Sequence, residues 1–144
     1  MENSIELIEK YNRPAPRYTS YPPVPYWSGA PDEMSWIKHL QSAYDPATGV
    51  DLYVHVPFCE SLCYYCGCNR TITKNHALEL TYLDMVLKEW DLYVSKLGFI
   101  PKINSLHFGG GTPTFLSAEN LATLMSALLS NKSTSFMGSI EIDP

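Results

Sequence analysis

Three short apolar runs alternate with two segments of helical periodicity, and that alternation constrains the fold more than any other feature of the chain. "DLYVHV" (51–56) is β-branched and aromatic and is stopped by Pro57, the pattern of a buried strand. From about Asn75 to Leu97 the apolar residues Leu78, Tyr82, Met85, Val86, Trp90, Tyr93 and Leu97 step by three and four. That spacing predicts an amphipathic helix with Gly98 as its stop. "KINSLHF" (102–108) predicts a second strand running into "GGGTPT". Ser117 is placed to cap a helix from Ala118, with Glu119 in its first turn and Leu121, Leu124, Met125, Leu128 and Leu129 as its apolar face. "SIEID" (139–143) predicts a third strand. Strand–helix–strand–helix–strand order builds a parallel sheet with right-handed crossovers. Sites in such sheets form on the loops that follow the C-terminal strand ends, so the loops after the first and second strands should face one cleft.

The first 48 residues read differently. Ile5, Ile8 and Tyr11 suggest a short helical turn. The stretch from Arg13 to Pro31 holds six of the chain's eleven prolines, which predicts an extended arm, and its Tyr and Trp residues suggest that it packs on something. Ile37, Leu40 and Tyr44 restore helical spacing before a turn at "DPATG" (45–49). The division expected is therefore residues 1–48 as helix and arm, and 49–144 as the sheet-forming part.

All four cysteines lie within "CESLCYYCGC" (59–68), on the loop after the first strand. The net charge of −5 lacks the basic footprint of a nucleic-acid binder. No run of about 18 apolar residues is present to suggest a membrane span. "MENSIELIEK" is acidic where a secretory signal is basic, so a cytoplasmic location with reduced thiols is expected. Metal or redox chemistry is then the better explanation of the thiols than disulfides. A structural zinc site usually takes two ligands from each of two separate knuckles, and no second knuckle exists, although His55, His76 or His107 could complete a three-thiolate site. A [4Fe–4S] cluster fits better, because closely spaced loop thiolates can wrap it. Three cysteines would hold three irons and leave the fourth open to a ligand, and Tyr64 and Tyr65 could shield one side from water.

Cys59-x3-Cys63-x-Tyr65-Cys66 resembles the signature of the radical S-adenosylmethionine (SAM) enzymes. With the "GCN" that follows, and with "RPAPRYTSYP", "YVHVPFC", "HFGGGTPT" and "EIDP", the chain resembles the oxygen-independent coproporphyrinogen III oxidase (dehydrogenase) family of haem biosynthesis. These separated blocks extend over nearly the whole chain.

The resemblance implies a partial parallel (βα) barrel of radical SAM type, with three of its strands present behind a Pro-rich arm. It implies that Cys59, Cys63 and Cys66 bind the cluster, with Cys68 a non-ligating loop thiol. It implies two SAM molecules: Tyr53, Gly110 and Glu141 beside the first, Tyr65, Gly111 and Thr112 beside the second. The implied reaction is oxidative decarboxylation of coproporphyrinogen III to protoporphyrinogen IX by a radical generated from SAM, with an outside electron donor and a monomeric enzyme. Arg13 and Arg17 are candidates to pair with substrate propionates, and His55 and His107 read as satisfied strand histidines.

Two rivals are weaker. A haem-chaperone-like radical SAM paralogue shares the strand and the first three cysteines but typically lacks the fourth cysteine and the "PRYTSYP" arm. A zinc-binding interaction module leaves the glycine run and the strand–helix order unexplained. Family members are several hundred residues long, with more strands and a C-terminal domain, so the chain reads as an N-terminal fragment whose last strand is an unpaired edge.

Overall fold

The computed structural model describes residues 4–12, 26–29 and 31–142. Most of the proline arm, with Arg13 and Arg17, lies outside the described residues, as do Asp143 and Pro144. The chain divides into two compact units, Met1–Ser35 and Trp36–Pro144. The first contains α1 (Ser4–Tyr11) and the start of α2 (Glu33–Ala43), whose first turn is capped by Asp32 accepting the Ser35 N–H at 2.7 Å.

The second unit is an α/β layer. Strands β1 (Val50–Val56), β4 (Ile103–Gly110) and β5 (Lys132–Ile140) form a parallel sheet in the order β1-β4-β5. Helices α3 (Leu78–Leu97) and α4 (Ala118–Leu128) form the crossovers. Glycine ends α3 as the spacing predicts: Gly98 takes φ 80°, and its N–H reaches Val94 O at 3.0 Å. Ser117 caps α4 by accepting the Asn120 N–H at 3.3 Å.

The alternation of each strand sorts its side chains between two faces. Val56, Leu106 and Phe108 are buried with Leu83, Leu124, Leu128, Phe115 and Leu116. Leu52, Val54, Tyr82, Val86 and Trp90 pack against that cluster from its margins. The other face carries Asp51, Tyr53, His55, Ser105, His107 and Ser139. A parallel sheet normally buries both faces. Here one face is polar, and that face builds the site.

The structure corrects several expectations. The third strand starts at Lys132 and ends at Ile140, so Glu141 follows the strand instead of lying on it. Its early part, "KSTSF", is too polar to signal a strand. It is paired at Ile103↔Lys132 and again from Ser105↔Met137, with the intervening residues out of register. Gly109 and Gly110 belong to β4 instead of the loop after it. Met85 and Met125, assigned to apolar helix faces, are 59% and 39% exposed, because the sheet covers a narrower stripe of each helix than the spacing suggests. A two-residue parallel pair, β2 (Phe58–Cys59) with β3 (Thr71–Ile72), was not foreseen.

Candidate functional site

The cysteine loop is closed at its neck by β2 and β3. Thr71 N–H donates to Pro57 O at 2.6 Å and Thr73 N–H to Cys59 O at 2.8 Å. Residues 60–70 therefore leave and rejoin the fold side by side. Cys59 is buried in the neck, Cys63 and Cys66 are half-buried, and Cys68 is exposed; none is in a disulfide. Within the loop Cys66 N–H bonds Cys63 O at 3.1 Å, turning the chain between these two thiols. Tyr65 is 85% exposed, and Tyr64 is fully so.

The segment after β4 is laid directly against that neck. Gly111 N–H donates to Val56 O at 2.8 Å, Thr112 N–H to Phe58 O at 2.7 Å, and Thr112 Oγ1 to Cys59 Sγ at 3.4 Å. This contact requires glycine. A Cβ at Gly111 would lie 2.7 Å from Phe58 O and 2.9 Å from Cys59 Sγ. Gly110 has φ 111°, and a Cβ there would lie 2.6 Å from His55 Nδ1.

On the polar face Tyr53, His107 and Ser139 are register partners across the three strands. The Tyr53 and His107 rings stack at 5.6 Å. His107 Nδ1 lies 2.7 Å from Ser139 Oγ, and its Nε2 lies 3.3 Å from Glu141 Oε1. The other Glu141 oxygen accepts the Gly110 N–H at 3.1 Å. Glu141, although past the strand end, is thus held over the glycine segment. His55 Nε2 lies 2.7 Å from Asn69 O, which can only accept, so that nitrogen carries the proton and Nδ1 is free to accept from Tyr53 Oη at 3.4 Å. Tyr82 Oη donates to His55 O at 2.8 Å. At the far end of this face Asp51 accepts Ser105 Oγ at 2.6 Å and Asn104 Nδ2 at 3.1 Å.

Electrostatics follow from these neighbours. Desolvation, then Glu141 and Cys68, push the Tyr53 phenol up. Desolvation and the adjacent Cys66, with smaller contributions from Glu141 and Cys59, push the Cys68 thiol up. Cys68, Tyr53 and Glu141 therefore share one neighbourhood. Burial, with lesser effects of Glu89 and Tyr53, pushes Tyr82 up to about 12.

Of the residues singled out in the sequence, Cys59, Gly111 and Thr112 are in one contact group, and Tyr53, Gly110 and Glu141 in an adjoining one linked by His55 and His107. Tyr65 stands out in solvent. A cavity of about 520 Å³ runs along the free edge of β1, between Trp36, Leu40, Val86 and Trp90, and reaches Tyr53 and His55; the cysteines do not line it. Among the described residues no three His, Cys, Asp or Glu side chains converge on a point where one metal ion would sit. None of the described helices is long and apolar enough to cross a membrane.

Sequence reasoning missed Glu79. It is buried in the first turn of α3 and accepts Ser117 N–H at 2.7 Å, Asn120 Nδ2 at 2.8 Å and His76 Nδ1 at 2.8 Å. His76 Nε2 reaches Glu60 Oε1, inside the cysteine loop, at 3.0 Å. The one available signal was an acid interrupting the apolar stretch at Leu78 and Leu80.

No family model matches the chain. Among curated proteins, the oxygen-independent coproporphyrinogen III oxidase of Pseudomonas aeruginosa is 39% identical over 96% of this chain and 31% of its own length. That of Escherichia coli is 38% identical over 97% of this chain and 30% of its own length. The chain therefore spans about a third of the length of these relatives. A relative of the same name from Mannheimia haemolytica is 39% identical over 97% of this chain and 95% of its own length. The solved coproporphyrinogen III oxidase of Escherichia coli, described as a radical SAM enzyme, superposes with a TM-score of 0.77 at 36% identity, over 97% of this chain and 30% of that one. Near-complete coverage of one relative, and the same fold in another, lead to one conclusion: the chain belongs to the oxygen-independent coproporphyrinogen III oxidase family.

Proposed function

We propose that this chain is the cluster- and SAM-binding N-terminal part of an oxygen-independent coproporphyrinogen III oxidase, its three strands the opening of a parallel (βα) barrel. Cys59, Cys63 and Cys66 hold a [4Fe–4S] cluster. Tyr53, Gly110 and Glu141 flank one SAM; Tyr65, Gly111 and Thr112 flank a second. The observation that carries this reading is the seating of Gly111 and Thr112 against Cys59, which joins the sulfur loop to the glycine segment with no room for a Cβ between them.

The donor set fits the cluster. A single zinc ion needs its ligands converged on one point. A [4Fe–4S] cube takes one thiolate at each bound iron, so its cysteines surround it instead of converging. Three free cysteines on one loop suit that need. When bound, the cluster and SAM supply the one-electron chemistry that starts conversion of substrate propionates to vinyl groups with loss of CO₂.

The chain's own residues bind and orient. Glu141, fixed by Gly110 N–H and His107, presents a carboxylate suited to ribose hydroxyls. Tyr53 offers an exposed phenol beside it. His55 fixes the end of the cysteine loop by holding Asn69 O. The substrate, coproporphyrinogen III, and the electron donor meet the complete monomeric enzyme in the cytoplasm.

The test is anaerobic reconstitution with iron and sulfide, reduction, and electron paramagnetic resonance with and without SAM. A cluster signal that changes shape on adding SAM is expected. A folded chain that takes up zinc but no iron overturns the reading.

A further inference from the structure

The entrance to the cysteine loop is tied to the rest of the fold by a bridge of side chains that the proposed chemistry does not use. His76 lies between two carboxylates: Nε2 faces Glu60 Oε1 at 3.0 Å and Nδ1 faces Glu79 Oε1 at 2.8 Å. Its ring stacks on Phe115 at 4.3 Å with only 12° between the planes. Phe115 is buried in the 3-10 turn (Pro113–Phe115) that follows the glycine segment. Glu79 is in turn held by the N-terminus of α4. Glu60 immediately follows Cys59 and is the first residue beyond the β2–β3 neck.

The same loop is held at its other end by His55 on Asn69 O. The hydrogen bonds within the loop itself are local: Cys66 N–H to Cys63 O, and Arg70 Nη1 to Cys68 O at 3.1 Å. The loop's path is therefore set at its ends. We propose that His76 is a positioning residue that, by bridging Glu60 in the loop to Glu79 in the helical layer, fixes the direction in which the chain leaves Cys59 toward Cys63 and Cys66. This rests on those cysteines holding the cluster. His76 touches none of them; it acts through Glu60.

The experiment uses the full chain with Glu60→Ala, Glu60→Gln, His76→Phe and the Glu60→Ala/His76→Phe double variant. Phe at position 76 keeps a ring against Phe115, and Glu79 keeps Ser117 N–H and Asn120. Glu60 is solvent-exposed, so its variants carry the test even if His76→Phe does not fold. Two rates are read: amide hydrogen exchange of the peptide spanning 60–68 in the metal-free chain, and iron loss to a chelator after anaerobic reconstitution. Glu60→Ala and His76→Phe should each raise both rates about fivefold, and Glu60→Gln, which keeps an acceptor oxygen, should stay within about twofold of the parent. The double variant should be no faster than the faster single one, because both substitutions cut the same bridge. Parent-like exchange in Glu60→Ala, or rates that multiply in the double variant, overturns the proposal. A parent chain that takes up no cluster contradicts the cluster assignment instead, while the bridge still stands or falls on the exchange rates.

Discussion

Glu79 Oε2 accepts the backbone N–H of Ser117 at 2.7 Å, so the first turn of α3 caps the entry to α4. The carboxylate sits where the positive ends of two helices meet, which favours its charge. It is nonetheless buried, and it holds three donors, two from the start of α4 and one from His76. Glu79→Ala strips all three at once and should cost about 3 kcal/mol; Glu79→Gln, which keeps one acceptor oxygen, should cost about half of that. Urea unfolding with an unchanged m-value measures both.

Both nitrogens of His76 face carboxylate oxygens, so the bridge is complete when the ring is protonated and donates from both. The bond to Glu79, then that to Glu60, holds its pKa above the ordinary 6.5. A raised folded value means that the stabilisation is complete below 6.5 and is lost as pH rises through the folded value. For Glu79 burial opposes ionisation but is outweighed by the bonds from Ser117, Asn120 and His76, so its pKa lies below the ordinary 4.5. Its contribution is present above 4.5 and is lost as pH falls through the folded value. Unfolding midpoints should therefore decline on both sides of a plateau, and His76→Gln should flatten the alkaline decline and weaken the acid one, because His76 is among the donors that lower the Glu79 pKa. Imidazole NMR titration gives the His76 value directly.

Gly111→Ala should damage the site more than its size suggests. The new methyl group would press on Phe58 O and Cys59 Sγ. The neck would have to open, at a cost of about 1–3 kcal/mol. Iron uptake on reconstitution should fall in step, whereas Gly29→Ala, with open space around it, should change neither quantity.

Tyr82 should ionise only in strongly alkaline solution. Its phenol is pushed up to about 12 by burial, and its hydroxyl donates to His55 O. Ultraviolet titration of Tyr82→Phe should lose phenolate signal near pH 12 relative to the parent. The lost bond should cost about 1 kcal/mol.

Much of this fold is legible along the chain because its information is local. A strand announces itself when its residues are apolar and β-branched, as in "DLYVHV"; a helix does so when its apolar residues step by three and four, as from Leu78 to Leu97. The cysteines were legible for a similar reason, since one loop carries all of them. Where the local signal failed, the structure was decided elsewhere. The start of β5 is polar, and it is a strand because β4 offers it a ladder at Lys132 and again from Met137. The β2–β3 neck joins two-residue strands too short to show any pattern.

Local patterns along the chain account for the principal strands and helices, their order, and most of the residue types of the site. Tertiary structure alone decided their partners. Sheet register sets Tyr53 beside His107 and Ser139, and the crossovers bring Glu79 to Ser117 and Asn120, some forty residues away. It also presses Gly111 against Cys59. A hydrogen bond is directional and reaches only about 3 Å, so its partner is chosen after the layers have packed. No periodicity in the chain encodes that choice.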